Sequence, residues 1–204
     1  MLQSAGLRVV AVQNPLTSLA DDVAATERAI EAAPGDVILV GHSWGGTVIT
    51  EGGTADKVKA LVYVAAFALP KGQSATSATA GSPPAPWTST LQKDSGDFLT
   101  VPQEGLGKYF AQDATPEEVA VLAATQQPSA ARLFDERLTR AASETKPSWF
   151  VVAKADGAIP PAFEESMAKA IKAHITELEG NHLIMLTKPR SVADVIIDAA
   201  KSVR

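Results

Sequence analysis

The residues able to do chemistry in this sequence cluster in one short stretch. In "DVILVGHSWGGTVI", Asp36 to Ile49, an apolar run leads into Gly41-His42-Ser43-Trp44-Gly45-Gly46. A serine with a glycine two residues away on each side, between strand and helix, suits a sharp turn that lifts its hydroxyl out. The chemistry on offer is attack by Ser43 on an acyl carbon. The amide of Trp44, at the start of the new helix, is expected to face the developing oxyanion. Gly41 and Gly45 are expected to let the strand and helix backbones approach closely. A plain tight turn accounts for the same glycines, so the reading depends on partners elsewhere in the chain.

A serine is a weak nucleophile without a base. Asp156 follows an apolar run ending at Ala153, in "KADGAIP", and His182 follows one ending near Leu178, in "EGNHLIM". Serine, acid, histidine, each just past a strand, is the order such a turn requires. His182 is therefore expected to take the Ser43 proton, and Asp156 to orient its imidazole. His42, inside the turn, is expected to orient it or to pack. His174, at a helix end among charged residues, is expected to be solvated. Glu179, close to His182 in sequence, is the less favoured candidate for the acid. The competing reading of Asp156 is an ordinary turn aspartate before a glycine.

The elements that must position these groups read as a strand–helix alternation. "LRVVAV", Leu7 to Val12, reads as a strand buried on both faces. Ser18 reads as an N-cap with Asp21 and Asp22 in the first turn, and Leu19, Val23, Thr26 and Ile30 mark one buried helical stripe. "DVILV" is the next strand, Thr47–Glu51 a helix, and Lys59–Ala65 a third strand. That order implies a parallel sheet with helices on its faces.

The rhythm breaks at Pro70–Pro86, which reads as a loop. Thr115-Pro116-Glu117-Glu118 is a strong helix start, and a second helix is expected from Pro128 to about Arg140. This middle region shows short helices and no convincing strand. Its aromatics, Trp87, Phe98, Tyr109, Phe110 and Phe134, are expected mostly to pack its own small core, with one or two lining a pocket. The alternation resumes with a strand at Ser148–Ala153, a helix from Pro160-Pro161 with Phe163, Met167 and Ile171 on one face, a strand at Ile175–Leu178 and a final helix from Pro189.

The bulk numbers agree with one enzyme-sized domain. The chain has 204 residues, 46% hydrophobic and 20% charged, with a formal net charge of −5, enough to bury a core. No basic stripe invites nucleic acid. The sequence has no cysteine, which removes disulfides and thiolate chemistry, and three scattered histidines give no metal cluster. The longest apolar run, Ala60–Leu69, is too short to cross a bilayer, and no signal peptide is evident. A soluble, cytoplasmic protein is expected.

On these residues the sequence resembles the α/β-hydrolase superfamily. More narrowly, it is similar to bacterial small esterases related to plant methylesterases and hydroxynitrile lyases. The resemblance covers nearly the whole chain through "VILVGHSWGGTVITE", "VKALVYVAAFALPKGQS", "PSWFVVAKADGAIPP" and "GNHLIMLTKPRSVADVI". It implies an α/β-hydrolase core at 1–69 and 146–204, with a helical cap at 70–145. It also implies Ser43, Asp156 and His182 as a triad, no cofactor, no metal, and a small-molecule ester as substrate.

Two departures stand out. Relatives usually begin with a strand ending in a His-Gly loop, which supplies a second oxyanion donor, followed by a helix. Here "MLQSAGLRVVAV" looks like the tail of that helix. In the family that strand lies between those corresponding to "LRVVAV" and "VILV". Its absence predicts a gap, a rearranged sheet or a strand from another chain, and an open edge favours a homodimer. The acid loop also reads "DGAIP" where relatives often carry arginine after the aspartate.

A serine hydrolase of small carboxylic esters is the reading these residues favour. A hydroxynitrile lyase is the first alternative. Lyase relatives typically place glutamate before the serine and lysine after the histidine, and here those positions are His42 and Leu183. A non-catalytic ligand-binding protein on the same scaffold, with half an oxyanion hole, is the other.

Overall fold

The computed structural model describes residues 1–203. Its centre is a four-stranded parallel sheet in the order β1-β2-β6-β7. The strands are β1 (Val37–Ser43), β2 (Val58–Ala66), β6 (Ser148–Ala153) and β7 (His174–Leu178). β2 and β6 are buried along nearly their whole length, which is why both read as unbroken apolar runs rather than alternating ones.

Successive side chains of these strands enter two separate cores, as a period of two dictates. Leu61, Tyr63, Phe150 and Val152 face one way, and Ile30 of α1 (Leu19–Ala32), Ile49 of α2 (Gly45–Gly52) and Met167 of α6 (Pro161–Ala170) pack over them. Val62, Val64, Trp149 and Val151 face the other way, under Val192, Val195, Ile196 and Ala199 of α8 (Pro189–Ser202) and Ile184 of α7 (Ile184–Thr187). Each fully buried Val, Leu or Ile contributes about 1.5–3 kcal/mol, so these layers fix the strand ends on which the site is built. Ser18 caps α1 by accepting from the Asp21 amide, as its position before the apolar stripe indicates.

The segment between β2 and β6 contains the short helices α3 (Ala75–Ala78), α4 (Gln103–Gly105) and α5 (Pro116–Thr125). Thr115 and Glu118 form the expected capping box on α5. The segment also contains a small antiparallel sheet, in the order β3-β4-β5, made of β3 (Gln92–Lys93), β4 (Phe98–Thr100) and β5 (Ser129–Ala130). The expectation of a strandless region is corrected: these strands are two or three residues long, below the reach of any periodicity.

The helix expected over Pro128–Arg140 is also absent. Ser129 and Ala130 pair with β4, the Ala130 amide donates to the Leu16 carbonyl, and the Leu138 amide donates to the Gln73 carbonyl. Only a 3-10 turn, Ala131–Asp135, remains. A helix of this length is marginal alone, and the tertiary hydrogen bonds win.

The strand expected at Leu7–Val12 does not form. The segment is without secondary structure, and Val9 and Val10 are 46% and 63% exposed. β1 is an edge of the sheet, with Val40 43% exposed. The apolar run has strand propensity but no neighbouring strand to pair with, and pairing is what makes a strand. Within this chain β1 pairs with β2 alone.

Candidate active site

All three candidate residues sit past the C-terminal ends of parallel strands, on one rim of the sheet, where open α/β sheets place their sites. Ser43 ends β1, Asp156 lies three residues beyond β6, and His182 four residues beyond β7. Ser43 has φ of +52°, a left-handed conformation that is costly for a non-glycine residue and is held only by its surroundings.

The glycines around Ser43 explain how the turn closes. A Cβ on Gly41 would lie 2.5 Å from the Gly45 carbonyl oxygen. A Cβ on Gly46 would collide with the Phe67 carbonyl, whereas Gly45 faces open space. The role expected of Gly45 therefore belongs to Gly46, because the first turn of α2 leans on the β2 exit and not on β1 alone. The Trp44 amide makes no hydrogen bond to a protein acceptor among the described residues, so it is free to receive an oxyanion. Its indole is fixed instead: Nε1 donates to Asp22 Oδ2 at 2.8 Å, while Asp22 Oδ1 accepts from the Leu16 amide at 2.8 Å. Asp22 is fully buried. Burial pushes its carboxyl above the ordinary value, against the Trp44 and Leu16 hydrogen bonds.

Asp156 and His182 form a buried pair. His182 Nδ1 lies 2.6 Å from Asp156 Oδ2, with side chains 2% and 0% exposed. Asp156 Oδ1 accepts from the Ala158 and Ile159 amides at 2.6 and 2.8 Å. Burial alone raises the Asp156 carboxyl. The hydrogen bond and charge of His182, with bonds from Glu164 and the Ile159 amide, outweigh it, and the pKa falls below the usual value. Asp156 is thus an anion, and the Nδ1–H tautomer leaves His182 Nε2 to accept a proton.

Gly157 follows Asp156 where a Cβ would lie 2.6 Å from the Tyr109 carbonyl oxygen. The absence of a side chain there lets the 109–112 segment close over the acid loop, and Gln112 Nε2 donates to the Ala155 carbonyl at 3.3 Å.

His42 touches the same pair. Its Nε2 donates to the His182 carbonyl at 2.9 Å, and the two rings lie 4.6 Å apart. Burial, then the proximity of His182, pushes His42 down to about 3, so it is neutral. Ser43 Oγ makes no hydrogen bond to another residue among those described, so the serine–histidine contact is open while the histidine–aspartate contact is closed. Such contacts are often long in free enzymes and tighten with substrate. His174 is exposed and stacks on Trp149 at 4.7 Å, away from the site.

Aromatic side chains from the inserted segment pack onto this centre, contrary to the expectation of a self-contained core. Phe110 lies edge-on to His182 at 5.3 Å, and Trp87 lies edge-on to Phe110 at 5.3 Å. Phe98 and Phe134 join Trp44, Val48 and Leu133 in one cluster. The reason is geometric: the segment leaves β2 at its C-terminal end, on the rim. A cleft of about 930 Å³, lined by Val121, Leu122, Asn181, Leu183 and Leu186 among others, opens beside the His182 loop and does not include Ser43. Among the described residues no group of His, Asp and Glu is placed to hold a metal ion, and no helix is long and apolar enough to cross a membrane.

Asp22 and Glu164 escaped notice as buried acids near the site. Both were legible: each falls on the apolar stripe of its helix, Asp22 with Leu19, Val23 and Thr26, and Glu164 with Met167 and Ile171.

The chain is similar over nearly its whole length to several solved structures. A pyrethroid hydrolase from Sphingobium faniae superposes with a TM-score of 0.80 at 20% identity, covering 98% of this chain and 88% of the other. An extracellular alpha/beta-hydrolase from Paenibacillus, described as sharing structural and functional homology with tobacco salicylic acid binding protein 2, gives 0.80 at 22%, covering 97% and 89%. A methylesterase from Arabidopsis gives 0.77 at 17%, covering 98% and 89%. Among curated proteins none matches the chain. A sheet of this order, a serine at positive φ on its rim and a family model that matches residues 2–195 converge, and the chain belongs to the alpha/beta hydrolase family.

Proposed function

We propose that this protein hydrolyses small carboxylic esters through Ser43, His182 and Asp156. The observation that carries the proposal is the buried 2.6 Å His182–Asp156 pair, held at the rim beside a serine with φ of +52°. Ser43 Oγ gives its proton to His182 Nε2 and bonds to the ester carbonyl carbon, and the Trp44 amide donates to the resulting oxyanion. His182 then protonates the departing alkoxide. Water, deprotonated by the same nitrogen, releases the acid from the acyl-enzyme. Asp156 remains an anion throughout and steadies the imidazolium.

Residues 70–145 act in this proposal as a cap that sets substrate preference, with Phe110 against the base. The esterase, pyrethroid hydrolase and methylesterase descriptions of similar structures agree with an ester substrate.

The test is labelling of the folded protein with a fluorophosphonate probe, alongside turnover of short p-nitrophenyl esters. Label on Ser43, and loss of both in Ser43→Ala with the fold intact, is the expected result. Folded protein that neither labels nor turns over ester overturns the proposal.

A further inference from the structure

Glu164 is completely buried in α6, directly behind the acid of the site. Its Oε2 accepts from the Ala153 amide at 3.1 Å, at the end of the strand that leads to Asp156. Its Oε1 is enclosed, with no N–H or O–H of the described residues reaching it. The Asp156 carboxyl lies within hydrogen-bonding reach of Glu164.

Two carboxyls in contact in a buried site cannot both ionise, so one holds a proton. Donor counts decide which. Asp156 accepts from Ala158, Ile159 and His182, at 2.6, 2.8 and 2.6 Å, and each of these stabilises its anion. Glu164 accepts from one amide. Burial, reinforced by the bond to Asp156 and its charge, raises Glu164 to about 10. Protonation also resolves the enclosed Oε1, which as a hydroxyl becomes a donor.

We propose that Glu164 is a positioning residue that stays protonated, donating from Oε1 to the Asp156 carboxylate and thereby setting the proton affinity of His182. The proposal rests on the reading of Asp156 and His182 as the acid and base of an esterase. The donated bond draws electron density from Asp156, which keeps the carboxylate from holding an imidazolium too tightly at rest. Without that bond the carboxylate holds an imidazolium more tightly. The other titratable groups around this chain of contacts are few. His42 faces His182 and is neutral. Lys154–Glu177 and Lys169–Glu165 are surface pairs on the strands and helix that enclose Glu164.

The test compares Glu164→Gln and Glu164→Leu with the parent protein. The carboxamide of Gln supplies an N–H to Asp156 and an oxygen to the Ala153 amide; Leu supplies neither. Ester kinetics and the ring-nitrogen NMR titration of His182 are measured on all three. In E164L, kcat is expected to fall about tenfold or more with KM nearly unchanged. The His182 midpoint is expected to rise by about half a pH unit or more. E164Q is expected to match the parent in both.

An unmoved midpoint in folded E164L, or an E164Q as impaired as E164L, overturns the proposal. Should E164L not fold, infrared spectra decide: the carbonyl stretch of a protonated buried carboxyl should be present at neutral pH in the parent and lost in E164Q. Its absence from the parent overturns the proposal. The titration and the spectra need no turnover, so a failure of the esterase reading shows up separately, as absent hydrolysis.

Discussion

The Nε2 of His42 donates to the backbone carbonyl of His182 at 2.9 Å, so the residue preceding Ser43 holds the loop that carries the candidate base. The bond requires a neutral ring with its proton on Nε2, and burial beside His182 ensures this by pushing His42 down to about 3.

The unfolded chain protonates His42 near 6.5 and the folded chain near 3, so between those values the unfolded state binds the extra proton. Stability should therefore fall as pH drops from about 6.5, and rise again with pH. His42→Gln keeps a donor and removes the titration. The variant should show a flatter Tm between about pH 6.5 and 5, measured by calorimetry. An equal slope in both proteins would show that His42 titrates normally.

Asp156→Asn should leave the protein folded, because Oδ1 can still accept from the Ala158 and Ile159 amides. The side-chain amide facing His182 Nδ1 then favours the wrong tautomer. A fall in kcat of about 10³–10⁴-fold is expected, by analogy with the serine-protease triad. Steady-state kinetics with a p-nitrophenyl ester reads it, and circular dichroism checks the fold.

Glu51 ties α2 to the end of the inserted segment. Its carboxylate accepts from the Thr139 amide and hydroxyl, the Arg140 amide and Arg140 Nε. Burial raises this carboxyl, and the Thr139 and Arg140 bonds more than reverse it, leaving it below 4.5. Its contribution is complete above that value and is lost as pH falls through the lower folded pKa. Glu51→Ala should cost about 2 kcal/mol at neutral pH, read by urea unfolding, with the difference from the parent shrinking in acid.

Gly157→Ala should bring a Cβ against the Tyr109 carbonyl and Gln112 Nε2, at 2.6 and 2.8 Å. Backbone cannot rotate away as a side chain can, so the acid loop or the 109–112 segment must shift, at about 1–3 kcal/mol. Lower Tm together with lower kcat/KM is expected. Unchanged values for both would show that the segment lies elsewhere in solution.

The local signals in the sequence were enough for the central elements. A buried run, a glycine-bracketed serine and a helix start specify the Ser43 turn, because sterics within a few residues dictate it. The caps at Ser18 and Thr115 and the order Ser43, Asp156, His182 were legible for the same reason. Leu7–Val12 was misleading: its propensity is that of a strand, yet its state depends on a pairing partner distant in sequence. Pro128–Arg140 misled in the opposite sense, since a helix-forming composition yielded to hydrogen bonds donated to the Leu16 and Gln73 carbonyls and to pairing with β4. That Gly46 rather than Gly45 carries the close approach, that Phe110 lies on His182, and that Glu164 meets Asp156 are all contacts between separate elements. Sequence alone determined which groups could react and the order in which the chain delivers them. Tertiary packing decided which of them are buried, which hold protons and which touch, because desolvation and proximity exist only once the layers close.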